Sequence, residues 1–341
     1  MESRVCVLGA GVIGLSAAVN VQLLIPGVDI TILADEFEAE TTSDGAAGHF
    51  GITKERTNSD INNLIRWARD SFEWYHRICI SEDANIAGIH RFHGYQLWRS
   101  AKPTPFHSKF DYAYRKLSVR ELKQLPGNHT YGWASETLMV ECRRYLPWLM
   151  NKFREKGGKI VCQRLRNINE IEQFYDVIVN CTGLRSRNLF QDKEIVPVRG
   201  HTIRVKAPWI KSFYIADDGD TYIYPGQDNV VLGGTRQRGE ERLEKDQRYY
   251  DDIMRRCCNL VPSLKHAEIE RTWVGLRPWR SGGVRLEVET IPVRGRPVPV
   301  VHNYGHGSDG VCLSWGCGVH AACLVKQQLN QQNAHQKLSK L

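Results

Sequence analysis

Residues 4–15, Arg-Val-Cys-Val-Leu-Gly-Ala-Gly-Val-Ile-Gly-Leu, constrain the fold more than any other part of the chain. A short apolar run leads into glycines at 9, 11 and 14, which reads as strand, tight turn and helix start. This G-x-G-x-x-G spacing gives each glycine a separate task. Gly9 permits the turn, Gly11 lets the backbone approach a pyrophosphate, and Gly14 lets helix and strand pack closely. The N-terminal turn through Ala10, Val12 and Ile13 offers unpaired N–H groups and a positive dipole end to phosphate. A second apolar run, residues 30–34, ends in Asp35 and Glu36. Asp35 follows Gly14 by 21 residues, where a carboxylate can hold a ribose 2′-OH. A bound dinucleotide is expected, and Asp35 favours FAD or NAD over a 2′-phosphorylated cofactor.

The chain has 341 residues, enough for two domains. Its net charge of +8 comes from scattered basic residues, and the nearest cluster, 185–187, is short. A nucleic-acid stripe is therefore not expected. No run is apolar enough for a membrane span. Residues 5–25 resemble a signal peptide only superficially, because they carry the glycine fingerprint and lack a basic flank. The ten cysteines show no metal-type spacing and no metal site is expected. Cys6, Cys162 and Cys181 lie in apolar runs and read as small core residues of a reduced, intracellular protein. The sequence ends Ser339-Lys340-Leu341, the tripeptide address read by the peroxisomal import receptor, after a polar stretch expected to be an exposed tail.

Along the chain, Thr41, Thr42 and Ser43 with Ala47 and Gly48 suit a loop wrapping a phosphate or ring. Residues 60–79 carry a helical apolar spacing, and Ser118 with Glu121 forms a capping box for a short helix. A helix is expected over 142–156 and a strand over 159–162. Residues 176–183 read as a buried strand whose polar end, at Thr182, touches a ligand. Residues 199–234 alternate as in an antiparallel sheet. A last strand, 298–301, runs into the glycine-rich turn 304–310 and a helix through 329. The fold class expected is α/β, a discontinuous Rossmann-type domain (1–52, 140–198 and 284–335) with a mixed, mostly antiparallel substrate domain (53–139 and 199–283) and a tail, 336–341. His306, Ser308 and Gly310 imitate a nucleophile elbow, but the first glycine is missing and no acid/histidine pair accompanies it. A backbone cradle whose helix dipole faces a flavin fits better.

Four stretches resemble the D-amino-acid oxidase family: residues 5–15, 34–35 with 41–48, 179–183 and 300–316. The last departs from the family pattern at Gly318, where alanine is usual, and that glycine is expected to loosen the final helix slightly. The resemblance implies an FAD enzyme that passes the α-hydrogen of a D-amino acid to flavin N5. Hydrolysis of the imino acid gives a 2-oxo acid and ammonia, and O₂ takes the electrons to give H₂O₂. It implies FAD contacts at Gly9 to Gly14, Asp35, Glu36, Thr41 to Ser43, Ala47, Gly48, Arg166, Thr182, Gly307, Ser308, Asp309, Gly310, Val311 and Cys312. It assigns Arg277 and Tyr222 to the substrate α-carboxylate and the Ser308 carbonyl to its amine. Residues 233–237, Gly-Gly-Thr-Arg-Gln, resemble the branch acting on acidic substrates, the D-aspartate oxidases, with Arg236 meeting the side-chain carboxylate. Two departures stand out. Residues 213–220 are too short for the lid of the neutral branch, and an arginine often seen just before Tyr-Ile-Tyr-Pro-Gly has no match. Oxidation of neutral D-amino acids is the alternative activity. A non-catalytic flavin-binding protein is the alternative class, against which Arg277 and Tyr222 argue. The sequence leaves the oligomeric state open.

Overall fold

The protein is described by a computed structural model, here for residues 3–52, 58–171, 173–216 and 220–338, with side chains described to residue 334. Its strands are β1 (Arg4–Leu8), β2 (Asp29–Ala34), β3 (Ile89–Trp98), β4 (Ala113–Lys116), β5 (Tyr131–Val140), β6 (Lys159–Cys162), β7 (Val177–Asn180), β8 (Ile195–Lys206), β9 (Phe213–Ala216), β10 (Thr221–Pro225), β11 (Val230–Gly233), β12 (Gln237–Arg238), β13 (Glu268–Arg280), β14 (Arg285–Val293) and β15 (Arg296–Tyr304). The longer helices are α1 (Val12–Leu24), α2 (Ile61–Cys79), α3 (Cys142–Glu155), α4 (Gln247–Leu260) and α5 (Gly310–Leu338).

One sheet has the order β14-β15-β7-β1-β2-β6, parallel except for β14. Pairing β1 with β2 on one side and β7 on the other creates a switch point. A crevice therefore opens at the carboxyl ends of β1 and β7. Both faces are covered, so β1 is apolar after the exposed Arg4, with Val5 and Val7 in one core cluster and Cys6 and Leu8 in another. The larger cluster includes α1, α2, α3 and α5. Helix α1 is buried along most of its length because it lies between sheet and helices. The second sheet has the order β12-β8-β11-β10-β9-β3-β5-β4, with β13 pairing β8 along nearly its whole length.

Several expectations need correction. Residues 61–79 fall within 53–139, the segment expected in the substrate half. Their buried stripe, Leu64, Trp67, Ala68 and Tyr75, instead joins the core of the first sheet beside α5. Cys162 is exposed, because β6 is the edge of its sheet, and Cys181 is half-buried. The polar stretch after 327 is not a loose tail: α5 continues to Leu338, and Gln332 donates to the Asp176 carbonyl at 3.0 Å. Ser339, Lys340 and Leu341 lie outside the described residues. Gly318 does the opposite of loosening. A Cβ there would sit 2.8 Å from the Ser16 carbonyl oxygen, so glycine lets α5 approach α1. No helix among the described residues is long and apolar enough to cross a membrane. No group of three or more His, Cys, Asp or Glu among them is placed to hold a metal.

Candidate active site

A cavity of about 1210 Å³ runs from the switch point to the second sheet. At one end, Gly9 has φ +102°, and a Cβ there would lie 2.7 Å from the Cys181 carbonyl oxygen. A Cβ on Gly14 would lie 2.0 Å from the Gly9 carbonyl oxygen, so the turn and helix fit only without it. The Val12 N–H donates to Ser43 Oγ at 3.1 Å, which ties the 41–48 loop to the start of α1. Neither α1 nor α5 has an acidic residue in its first turn, as suits helix ends facing an anion. Replacing Gly14 with alanine forces a methyl group into a main-chain carbonyl. Overpacking of this kind costs about 1–3 kcal/mol. The variant should melt a few °C lower and purify with a reduced flavin-to-protein absorbance ratio. Normal flavin content would exclude this role for Gly14.

The cavity is lined by Gly9, Ala10, Gly11, Val12, Ile13, Asp35, Glu36, Thr41, Thr42, Ser43, Ala47, Gly48, Thr182 and residues 307–312. Tyr222, Arg236 and Arg277 line it as well. Arg166 does not. It is exposed, with its backbone N–H donating to the Glu170 carboxylate at 3.0 Å. Arg185 does line the cavity and pairs with the two acids there: Nη1 lies 2.7 Å from Asp35 and Nη2 3.4 Å from Glu36. The basic triplet at 185–187 was the sequence signal, but it could be read as solvated surface. Thr182 is fixed by Asn180, whose carboxamide reaches Ser186 and the buried His302.

The other end is built by strand register. Tyr222 stands opposite Gly233, and a Cβ on Gly233 would lie 2.0 Å from the tyrosine ring. The ring is stacked on Tyr224, which is stacked in turn on His49. Burial pushes the Tyr222 hydroxyl above its ordinary range, and the Arg277 and Arg236 guanidiniums act against that. Arg277 lies over Gly200, where a Cβ would touch its guanidinium at 2.2 Å. Its Nη1 donates to the Thr235 carbonyl at 3.0 Å, and the Thr235 hydroxyl accepts from the His201 N–H at 3.0 Å. One residue further along β13, the Pro278 carbonyl accepts from the Gly307 N–H at 2.8 Å. Arg277 and the 305–310 turn are thereby held in register. Ser308 is exposed and its hydroxyl donates to Asp309, leaving its carbonyl as the candidate contact.

Residues 4–324 match the family described as FAD dependent oxidoreductase, DAO. The chain belongs to this family. Human D-aspartate oxidase is 42% identical over 327 residues, covering 95% of both chains. The D-amino acid oxidase of Dugesia ryukyuensis is 34% identical, covering 96% of this chain and 98% of that one. The crystal structure of glycine oxidase from Geobacillus kaustophilus shares the fold, with a TM-score of 0.77 at 19% identity and 96% and 95% of the two chains covered. The cofactor of this oxidoreductase is FAD, and the glycine cradle and the N-terminal end of α1 fit its pyrophosphate.

Three histidines around the oxidoreductase site are held neutral. Burial lowers His201 to about 4, helped by Arg199 and Arg277. It lowers His302 to about 4, helped by Arg285, and His306 to about 3. His90 and His320 are lowered too. The unfolded chain binds more protons than the native one between about pH 4 and 6.5 at these sites, so they remove stability as pH falls through that window. Asp111, pushed up to about 8 by burial, and Glu141 and Asp70, also raised by burial, pull the other way. The histidines outnumber them. Denaturant midpoints should therefore fall between pH 6.5 and 4.5, and a flat or rising profile would contradict this assignment.

Proposed function

We propose that this protein oxidises acidic D-amino acids, D-aspartate first and D-glutamate and N-methyl-D-aspartate beside it, to 2-oxo acids with release of ammonia and H₂O₂. The observation that carries this reading is the placement of two guanidiniums, Arg236 and Arg277, about one buried tyrosine, Tyr222, at the far end of the cavity from the glycine cradle. Human D-aspartate oxidase, at 42% identity, supports it.

Bound FAD supplies a two-electron acceptor. The protein then has to orient and desolvate the substrate. Arg277 receives the α-carboxylate as a fork, with the Tyr222 hydroxyl as a further donor. The Ser308 carbonyl accepts from the substrate amine and fixes which face of the α-carbon is presented. Arg236 pairs with the distal carboxylate. The first sheet serves as the cofactor half and the second as the substrate half. Residues 9–13, 35–36, 41–43, 47–48, 182 and 307–312 serve as the cofactor contacts. No side chain has to act as base, provided the amine arrives unprotonated.

The test is peroxide release on D-Asp, D-Glu, D-Ala and D-Pro. Turnover of D-Ala faster than D-Asp would overturn the acidic assignment. Ser339-Lys340-Leu341 supports delivery to the peroxisomal matrix by its import receptor, where a peroxide-forming oxidase belongs. Deleting those three residues from a tagged protein in cells should move it to the cytosol, and unchanged distribution would count against the address.

A further inference from the structure

The turn that carries Arg236 is held from outside the cavity. Arg256, on α4, bridges the start of β10 and the end of β11. Its guanidinium donates to the Gly234 carbonyl at 2.8 Å, the Asp220 carbonyl at 2.9 Å and Thr221 Oγ1 at 2.7 Å. Asp252, one helical turn away, accepts from its Nε at 2.8 Å. The Gly234 N–H also donates to the Asp220 carbonyl. The main chain of Asp220 is thus fixed two residues before Tyr222. Its carboxylate lies beside Arg236, with Oδ1 3.4 Å from Nε. Arg236 faces the cavity and is one-third exposed, whereas Asp220 is half-exposed and outside the lining.

We propose that Asp220 is an internal counter-ion to Arg236, with which the distal carboxylate of an acidic substrate must compete. The proposal rests on Arg236 as the anchor for that carboxylate. A guanidinium shared with Asp220 offers the incoming group fewer donor hydrogens. The Asp220 charge also repels a second carboxylate at the same place. Neither effect acts on a substrate with a neutral side chain. Asp220 therefore sets how strongly the site prefers acidic substrates, lowering the affinity that Arg236 alone would give. Because the pair is partly solvated, its influence is modest, a factor of roughly two to five.

Succinate and propionate are D-Asp and D-Ala without the amine, so they bind without turnover and serve as probes. Calorimetry on the holoenzyme should show that Asp220→Asn raises the ratio of succinate to propionate affinity by about two- to five-fold. The ratio of kcat/KM for D-Asp over D-Ala should rise in step. In an Arg236→Leu background the same Asp220→Asn change should raise both ratios by clearly less, since the coupling partner is gone and only the direct repulsion remains. An unchanged or lowered succinate-to-propionate ratio in Asp220→Asn would overturn the inference. So would an equal rise in the Arg236→Leu background. If Arg236→Leu itself keeps the preference for D-Asp, the underlying reading of Arg236 fails. If it loses the preference while Asp220→Asn moves nothing, only the counter-ion inference fails.

Discussion

Replacing Arg277 with leucine should lower kcat/KM about thirty-fold or more for every D-amino acid, acidic or neutral alike. All of them present an α-carboxylate, and Arg277 is the guanidinium fixed by Gly200 beneath it and the Thr235 carbonyl beside it. Truncating one partner of a desolvated, hydrogen-bonded charge pair costs about 2–5 kcal/mol, and every 1.4 kcal/mol is a factor of about ten. Arg277→Lys should recover only part of the loss, because a point charge cannot reproduce the fork. Flavin content should stay close to that of the parent protein, since β13 meets the cofactor cradle through main-chain contacts of Pro278 and Trp279 with the 305–310 turn, which the substitution leaves in place. Equal kcat/KM in Arg277→Leu and the parent would remove Arg277 from the substrate site.

Arg236→Leu should act according to the substrate side chain rather than on every substrate alike. A charge-assisted hydrogen bond contributes about 1.5–3 kcal/mol, so kcat/KM for D-Asp should fall roughly ten- to a hundred-fold. D-Ala should be little affected, and D-amino acids with larger apolar side chains should gain, so that the preference inverts. Steady-state peroxide assays across the panel check this. A uniform loss across all substrates would show Arg236 holding the turn rather than reading the side chain. The two variants therefore separate the common anchor from the selective one.

How far the sequence reveals this site depends on how far apart its parts lie in the chain. The opening turn was legible, because the φ of +102° at Gly9 and the 2.0 Å approach at Gly14 are local demands that only glycine meets. The capping box at Ser118 and Glu121 was legible for the same reason. Strands β13 and β14 were not picked out, although β13 carries Arg277. Its residues alternate poorly because most of them are only partly buried. Arg166 is expected at the cofactor, yet Arg185 lines the cavity and Arg166 is exposed; residue type does not distinguish the two arginines.

The sequence by itself determined the dinucleotide turn, the parallel strands that support it and the residue types the chemistry needs. Those features rest on backbone conformation and on apolar patterning between near neighbours. Only the tertiary structure decided that Gly233 makes room for Tyr222, that Gly200 carries Arg277, that Arg185 meets Asp35, and that Asp220 stands beside Arg236. Most of these pairs lie far apart in the chain. Each depends on strand register or on a loop brought to a sheet edge, where a shift of one residue would point the side chain to the other face.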